Sequence, residues 1–210
     1  MINMKNVVVL IGGKGTSGKS TFIQYVQGIL GAVKCQEFST IDPVKEIVHR
    51  MYEQEQRAIF KAMGLDYPMA YLSTKRPAPL LKEIEEKTDT YRSLLHDIKM
   101  IWCEVDDGPN MITFCLVQHF FTKLGTLAFV NCREPEQFDH IKEALAKDKP
   151  DWNVITLNIY RPGHGEDITN EGDKTTDEYE YDYTISNDGT LQQLNEKAHE
   201  FVELLQSKFK

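Results

Sequence analysis

Apolar and polar positions follow periods that change along the chain. Val7 to Leu10 form a β-branched run closed by Gly12-Gly13, and from Lys19 the residues Phe22, Val26, Ile29 and Leu30 recur at helical spacing. The pattern predicts a strand, a glycine loop and a helix. Val33 to Phe38 reads as a second strand, after which Asp42-Pro43 offers an N-cap and a first-turn proline. The helix opened there carries Ile47, Val48, Met51, Ala58, Ile59 and Ala62 and ends near Gly64. Leu65 to Pro79 is irregular, helical patterns return at Leu80 to Lys87 and Tyr91 to Glu104, and Gly108-Pro109 breaks the chain. Met111, Phe114, Cys115, Val117 and Phe121 mark a helix, Leu127 to Val130 a buried strand, and Phe138, Ile141 and Leu145 a further helix. Val154 to Ile159 is the next strand. Arg161 to Glu180 is acidic, holds three glycines and shows no apolar face, the pattern of an exposed, mobile excursion. A last strand is predicted near Tyr181 to Ile185. Thr190 with Gln193 then makes a capping box before a helix bearing Leu191, Leu194, Ala198, Phe201 and Leu205.

Strands that alternate with helices imply an α/β fold, a three-layer sandwich whose roughly five-stranded parallel sheet is covered on both faces. Ligands of such sheets collect beyond the carboxyl ends of the strands. The loops after Ile11, Phe38, Val130 and Ile185 would meet there.

Composition narrows the picture. The 210 residues suit one domain, and 41% hydrophobic with 27% charged residues is a globular balance. A formal charge of −8 argues against a surface built to grip nucleic acid or anionic lipid through its net field. Cys35, Cys103, Cys115 and Cys132 lie far apart, so neither a zinc signature nor a disulfide framework is expected, and a reducing cytoplasm is. The apolar run Val7 to Ile11 is too short for a membrane span and lacks the marks of a signal peptide. The oligomeric state is left open, a homodimer included.

The chemistry concentrates between the first strand and the first helix. Gly13-Lys14-Gly15-Thr16-Ser17-Gly18-Lys19-Ser20, followed by Thr21, satisfies G-x-x-x-x-G-K-[ST] in the strand–helix context the motif needs. Its glycines let successive N–H groups point at phosphate oxygens, and the helix N-terminus adds partial positive charge. Lys19 is expected to bridge the outer phosphates of ATP, and Ser20 to ligate Mg²⁺ through its hydroxyl. Downstream, Leu127 to Val130 ends in Asn131-Cys132-Arg133-Glu134-Pro135. Arg133 is either a cation for a transferred phosphate or half of a surface ion pair with Glu134 or Glu136. His164 reads as a surface histidine.

Arg161-Pro162-Gly163, the excursion with Asp167-Ile168-Thr169 and Gly172, and Tyr183-Thr184-Ile185-Ser186-Asn187-Asp188-Gly189-Thr190-Leu191 together resemble phage-type deoxynucleoside monophosphate kinases. Pro43-Val44-Lys45 and Asn131-Cys132-Arg133 are similar to that family at corresponding points, so the resemblance touches most of the chain. Animal-type phosphomevalonate kinases are similar in the same places. Both families tend to carry aspartate where Asn131 stands. The resemblance implies a P-loop kinase domain over residues 1–210, with a helical acceptor-binding region at about 43–108 and a lid at about 161–180.

It further implies that Lys45, with Asp42 nearby, contacts the acceptor phosphate and that Arg161 belongs to the lid. Asn187 and Gly189 would lie under the adenine ring, although Asn187-Asp188-Gly189 also suits an ordinary turn. Arg92, in Thr88-Asp89-Thr90-Tyr91-Arg92, is a substrate ligand or an exposed arginine. Lys19, Arg133 and Arg161 would then surround the transferred phosphoryl. The expected activity is ATP- and Mg²⁺-dependent phosphorylation of a deoxynucleoside monophosphate, with small-molecule nucleotides as partners and neither nucleic acid nor membrane. A kinase of another phosphorylated metabolite, or a P-loop ATPase or switch, remains open.

Overall fold

A computed structural model describes residues 4, 6–32, 34–45, 127–163 and 176–209, with the single positions 50, 54 and 95. The chain divides into two units, Met1–Thr40 with Thr113–Lys210, and Ile41–Ile112. In the first unit the order is β1 (Val7–Gly12), α1 (Lys19–Leu30), β2 (Cys35–Ser39), β3 (Leu127–Asn131), α2 (Pro135–Asp148), β4 (Asn153–Tyr160), a 3-10 turn (Thr176–Glu178), β5 (Tyr183–Ser186) and α3 (Leu191–Lys208).

All five strands run parallel in the order β2-β3-β1-β4-β5. β1 is the central strand because all six of its positions are apolar or glycine and buried, as a strand covered on both faces requires. The step from β1 to β2 crosses the sheet one way and that from β3 to β4 the other. Right-handed crossovers therefore put α1 and α2 on opposite faces. Val7, Val9 and Ile11 share one core with Phe22, Ile23 and Val26 of α1 and with Leu194, Ala198, Phe201 and Leu205 of α3. Val8, Leu10, Ala128 and Val130, of opposite parity, are fully buried outside that cluster, as are Phe138 and Leu145 of α2. The strand order reverses between β1 and β3, and their carboxyl ends frame the crevice where such sheets bind ligands.

The strands and helices expected from periodicity all form where they can be seen, with ends displaced by a few residues. β2 begins at Cys35 and not Val33, and β5 at Tyr183 and not Tyr181. Asp182 explains the late start of β5. Its carboxylate accepts from the Thr156 N–H at 2.7 Å and the Thr156 hydroxyl at 3.0 Å, and the same hydroxyl accepts from the Asp182 N–H at 2.8 Å. One side chain thus caps the strand edge that β5 has not yet reached.

The far end of the acidic excursion departs from the expectation of an exposed segment. Thr176 is fully buried, Tyr179 stacks on Phe138 with centroids 4.4 Å apart, and Tyr181 meets the same ring edge-on at 5.4 Å. Tyrosines set among acids gave this stretch no apolar stripe, yet their rings found α2. Residues 164–175, the middle of the expected lid, lie outside the described residues, as do the helices expected between residues 58 and 121 and with them Arg92, Cys103 and Cys115.

Candidate functional site

The loop from Gly13 to Gly18 turns on backbone that side chains disfavour. Gly13 has φ 126° and Gly18 φ 99°, and Thr16 holds φ 62° without being glycine. A Cβ on Gly13 would strike the Ile159 carbonyl of β4, and one on Gly18 would strike the Asn187 amide. These two glycines are therefore required by close approach as well as by dihedral. The Ser17 N–H donates to the Lys14 carbonyl at 3.2 Å, closing the turn.

Gly18 is the N-cap of α1 and supplies no side-chain cap, and the first turn has no acidic residue. The leading amides of α1 and its positive dipole end are left for an anion. Lys19, at the first helical position, would otherwise oppose the dipole. Its ammonium folds back over the loop, donating to the Gly13 carbonyl and, at 2.9 Å, to the Lys14 carbonyl. The ammonium thus lies over the loop at the uncapped start of α1.

A cleft of about 380 Å³ opens over the loop, lined by Thr16, Ser17, Gly18, Lys19, Ser20 and Thr21, by Arg161, and by Asn187, Gly189, Leu191 and Leu194. The structure thus brings together residues from the ends of β1, β4 and β5 that the sequence had nominated separately. Asn187 joins them: its amide donates to the Ser17 carbonyl at 2.8 Å, and its N–H to the Tyr160 carbonyl at 2.6 Å. Beside it, the Ser186 hydroxyl, the loop's own backbone and Lys197 hold the Asp188 carboxyl below its ordinary range. Lys197 also donates to the Ser186 carbonyl at 2.6 Å.

Leu191 was missed. Periodicity assigns it to the buried stripe of the last helix, but it is 65% exposed and lines the cleft. It is the first residue after the Thr190 cap, before the helix has turned its apolar face onto the sheet. The capping box itself forms, with Gln193 N–H on the Thr190 hydroxyl at 3.2 Å and Thr190 N–H on the Gln193 side chain at 2.8 Å.

Arg133 is exposed at the end of β3 and is not among the residues lining this cleft. Its backbone is fixed on both sides, the N–H by the Gln137 side chain at 3.1 Å and the carbonyl by the Thr176 hydroxyl at 2.8 Å. In the other unit the Lys45 ammonium and the Asp42 carboxylate lie 2.8 Å apart. There the Lys45 N–H donates to the Ile41 carbonyl, so helical backbone starts at Asp42, the residue expected to be its cap, one position before Pro43.

Asn131 meets a carboxylate that no local pattern announced. Its amide donates to Glu37 of β2 at 2.7 Å and to the Phe38 carbonyl at 3.3 Å. Ser20, Asn131 and Glu37 all offer oxygen, the donor chemistry that suits Mg²⁺. Among the described residues no group of three or more His, Cys, Asp or Glu could hold a metal ion. Cys35 and Cys132 are free and buried, and no helix of the described residues is long and apolar enough to cross a membrane.

Three solved structures illustrate what the chain is similar to. The Mycobacterium tuberculosis APS kinase in complex with AMPPNP and APS is 14% identical with a TM-score of 0.46, covering 96% of this chain and 98% of that one. A gluconokinase from Sinorhizobium meliloti is 12% identical with a TM-score of 0.42, at 97% and 94% coverage. The shikimate kinase from Acinetobacter baumannii in complex with shikimate is 12% identical with a TM-score of 0.43, also at 97% and 94%. No protein-family model and no curated protein matches the chain.

Proposed function

We propose that the protein is an ATP-dependent kinase that transfers a phosphoryl group to the phosphate of a deoxynucleoside monophosphate. The observation that carries the reading is the cleft in which the uncapped amides of α1, Lys19, Arg161 and the Asn187–Gly189 loop converge. A triphosphate would lie on the amides with Lys19 leaving the Gly13 and Lys14 carbonyls for its oxygens. The adenine ring would rest between Gly189 and the exposed side chain of Leu191. The acceptor class rests on the resemblance of the C-terminal third to deoxynucleoside monophosphate kinases and on Lys45.

The reaction forms a bond from an acceptor phosphate oxygen to the terminal phosphorus of ATP and breaks the bond from that phosphorus to the bridging oxygen. ADP leaves with the electron pair. Because the attacking oxygen is already anionic, no general base is needed, and alignment with charge compensation governs the rate. Lys19 and Arg161 supply positive charge from the protein, with Arg133 as a third cation. Mg²⁺, when bound through Ser20, supplies charge neutralisation at the phosphates. Closure of the segment after Arg161 would exclude water that otherwise consumes ATP.

The test is ADP release with and without a panel of deoxynucleoside and other monophosphates. Release that depends on a deoxynucleoside monophosphate is expected, and Lys19→Ala should abolish it. Steady release with water alone would establish an ATPase instead. Turnover only with another phosphorylated metabolite would keep the kinase and replace the acceptor.

A further inference from the structure

We propose that Glu37 supplies, through Asn131, the negative charge that a divalent cation at the phosphate loop requires. The inference rests on the nucleotide-binding reading of the cleft. β2 and β3 are parallel with Glu37 beside Phe129 and Ser39 beside Asn131, so Glu37 and Asn131 project from one face of the sheet. That face belongs to α1. Ile11, the β1 neighbour of Asn131, and Phe129 share their core with Phe22 and Ile23.

α1 also leans over β2, where its Gln27 side chain donates to the Cys35 carbonyl at 3.3 Å. Ser20, Gln24 and Gln27 recur at i, i+4 and i+7 and so share one side of the helix. The side of α1 that bears the Ser20 hydroxyl is therefore the side turned toward β2, at the end where Glu37 and Asn131 pair.

The pair divides between two strands what one aspartate does alone. The Asn131 amide group donates both to the Glu37 carboxylate at 2.7 Å and to the Phe38 carbonyl at 3.3 Å, which fixes its rotation and leaves Oδ1 as its acceptor. A carboxylate behind a neutral ligand orients it and raises its basicity, the role outer-shell carboxylates have in metal sites. Oδ1 of Asn131 can then accept from water in the cation's shell, with the full negative charge one residue removed. Glu37 acts as a positioning and charge-supplying residue and need not touch the ion.

Mn²⁺ is the probe, followed by loss of its free EPR signal on titration with the full-length protein saturated with ADP. Glu37→Gln keeps the shape and an acceptor for the Asn131 amide but removes the charge. It should weaken Mn²⁺ binding about tenfold or more, while ADP affinity measured in EDTA stays as in the wild type. Glu37→Gln with Asn131→Asp restores one carboxylate on the neighbouring strand and should recover the affinity. Glu37→Gln that binds Mn²⁺ with ADP as tightly as the wild type, or a double variant as weak as the single one, would overturn the proposal alone. Wild-type protein that takes up no adenine nucleotide would remove the nucleotide reading and this inference together.

Discussion

Gly18→Ala probes the contact that ties the phosphate loop to the loop after β5. A Cβ at this position collides with the Asn187 amide, and the backbone at φ 99° disfavours any side chain. Left-handed backbone costs an L-residue about 1–2 kcal/mol. Pushing Asn187 off the Ser17 carbonyl breaks a buried bond of 2.8 Å and leaves a carbonyl unpaired, at about 1–3 kcal/mol more. The single substitution should therefore destabilise the protein by about 2–5 kcal/mol. Asn187→Ala loses the same hydrogen bond for about 1–3 kcal/mol but creates no strain. In the double variant the alanine at 18 has room, so only the backbone strain is added to the bond already lost. Its cost should fall short of the sum of the singles by the bond they share, about 1–3 kcal/mol. Urea unfolding of the four proteins, with a common m-value, gives the coupling directly. Single effects that add to within about 0.5 kcal/mol would refute the idea that the loop is held by this contact.

Leu191→Asp places an acid at the first position of α3, which the helix dipole favours, so stability should hold. ADP affinity by calorimetry should drop about tenfold, the order of one lost aliphatic contact, and an unchanged affinity would remove Leu191 from the nucleotide site. Burial, and then the charge of Glu37, pushes the Cys35 thiol from 9.0 up to about 12, and burial, with the charge of Glu134, pushes that of Cys132 up as well. The fold favours the neutral thiols, so their contribution to stability is complete below 9.0 and fades as pH rises from there toward the folded value of Cys35 near 12. Iodoacetamide at mildly alkaline pH should label Cys35 and Cys132 in urea but not in folded protein, and equal labelling in both would contradict the burial. The lowered Asp188 carboxyl stabilises the fold above its ordinary value of 3.8, and that contribution is lost as pH falls below it. Ser186→Ala removes the largest cause, so the NMR titration of Asp188 should move up toward 3.8; an unmoved midpoint would refute the assignment.

Where a signal is local, it was readable. Phe22, Val26 and Leu30 recur at helical spacing because one face of α1 meets the sheet, and all three are buried. Thr190 and Gln193 cap α3 across three residues, a distance over which sequence and geometry coincide. The end of the acidic excursion was harder to read because Tyr179, and Tyr181 just beyond it, alternate with Glu178 and Glu180. Their packing depends on Phe138 and Thr176, and the Lys142 ammonium donates to the Tyr179 hydroxyl at 2.9 Å. Hydrophobic periodicity cannot register a ring that is half polar and whose partner is some forty residues away, as Phe138 is from Tyr179.

The sequence by itself determined the alternation of strands and helices, the parallel sheet that follows from it, and the loop of amides before α1. Each is written in spacing over fewer than about ten residues, because strand pleat, helix turn and glycine dihedral are properties of adjacent backbone. The tertiary structure alone decided that Asn187 would hold the loop from 170 residues away, that Glu37 would meet Asn131 across 94, and that Leu191 would line the cleft instead of the core. Those outcomes depend on which strands become neighbours and on where each helix first touches the sheet. Chain spacing does not encode either, because the strand order is chosen by the crossovers and the packing of both faces together.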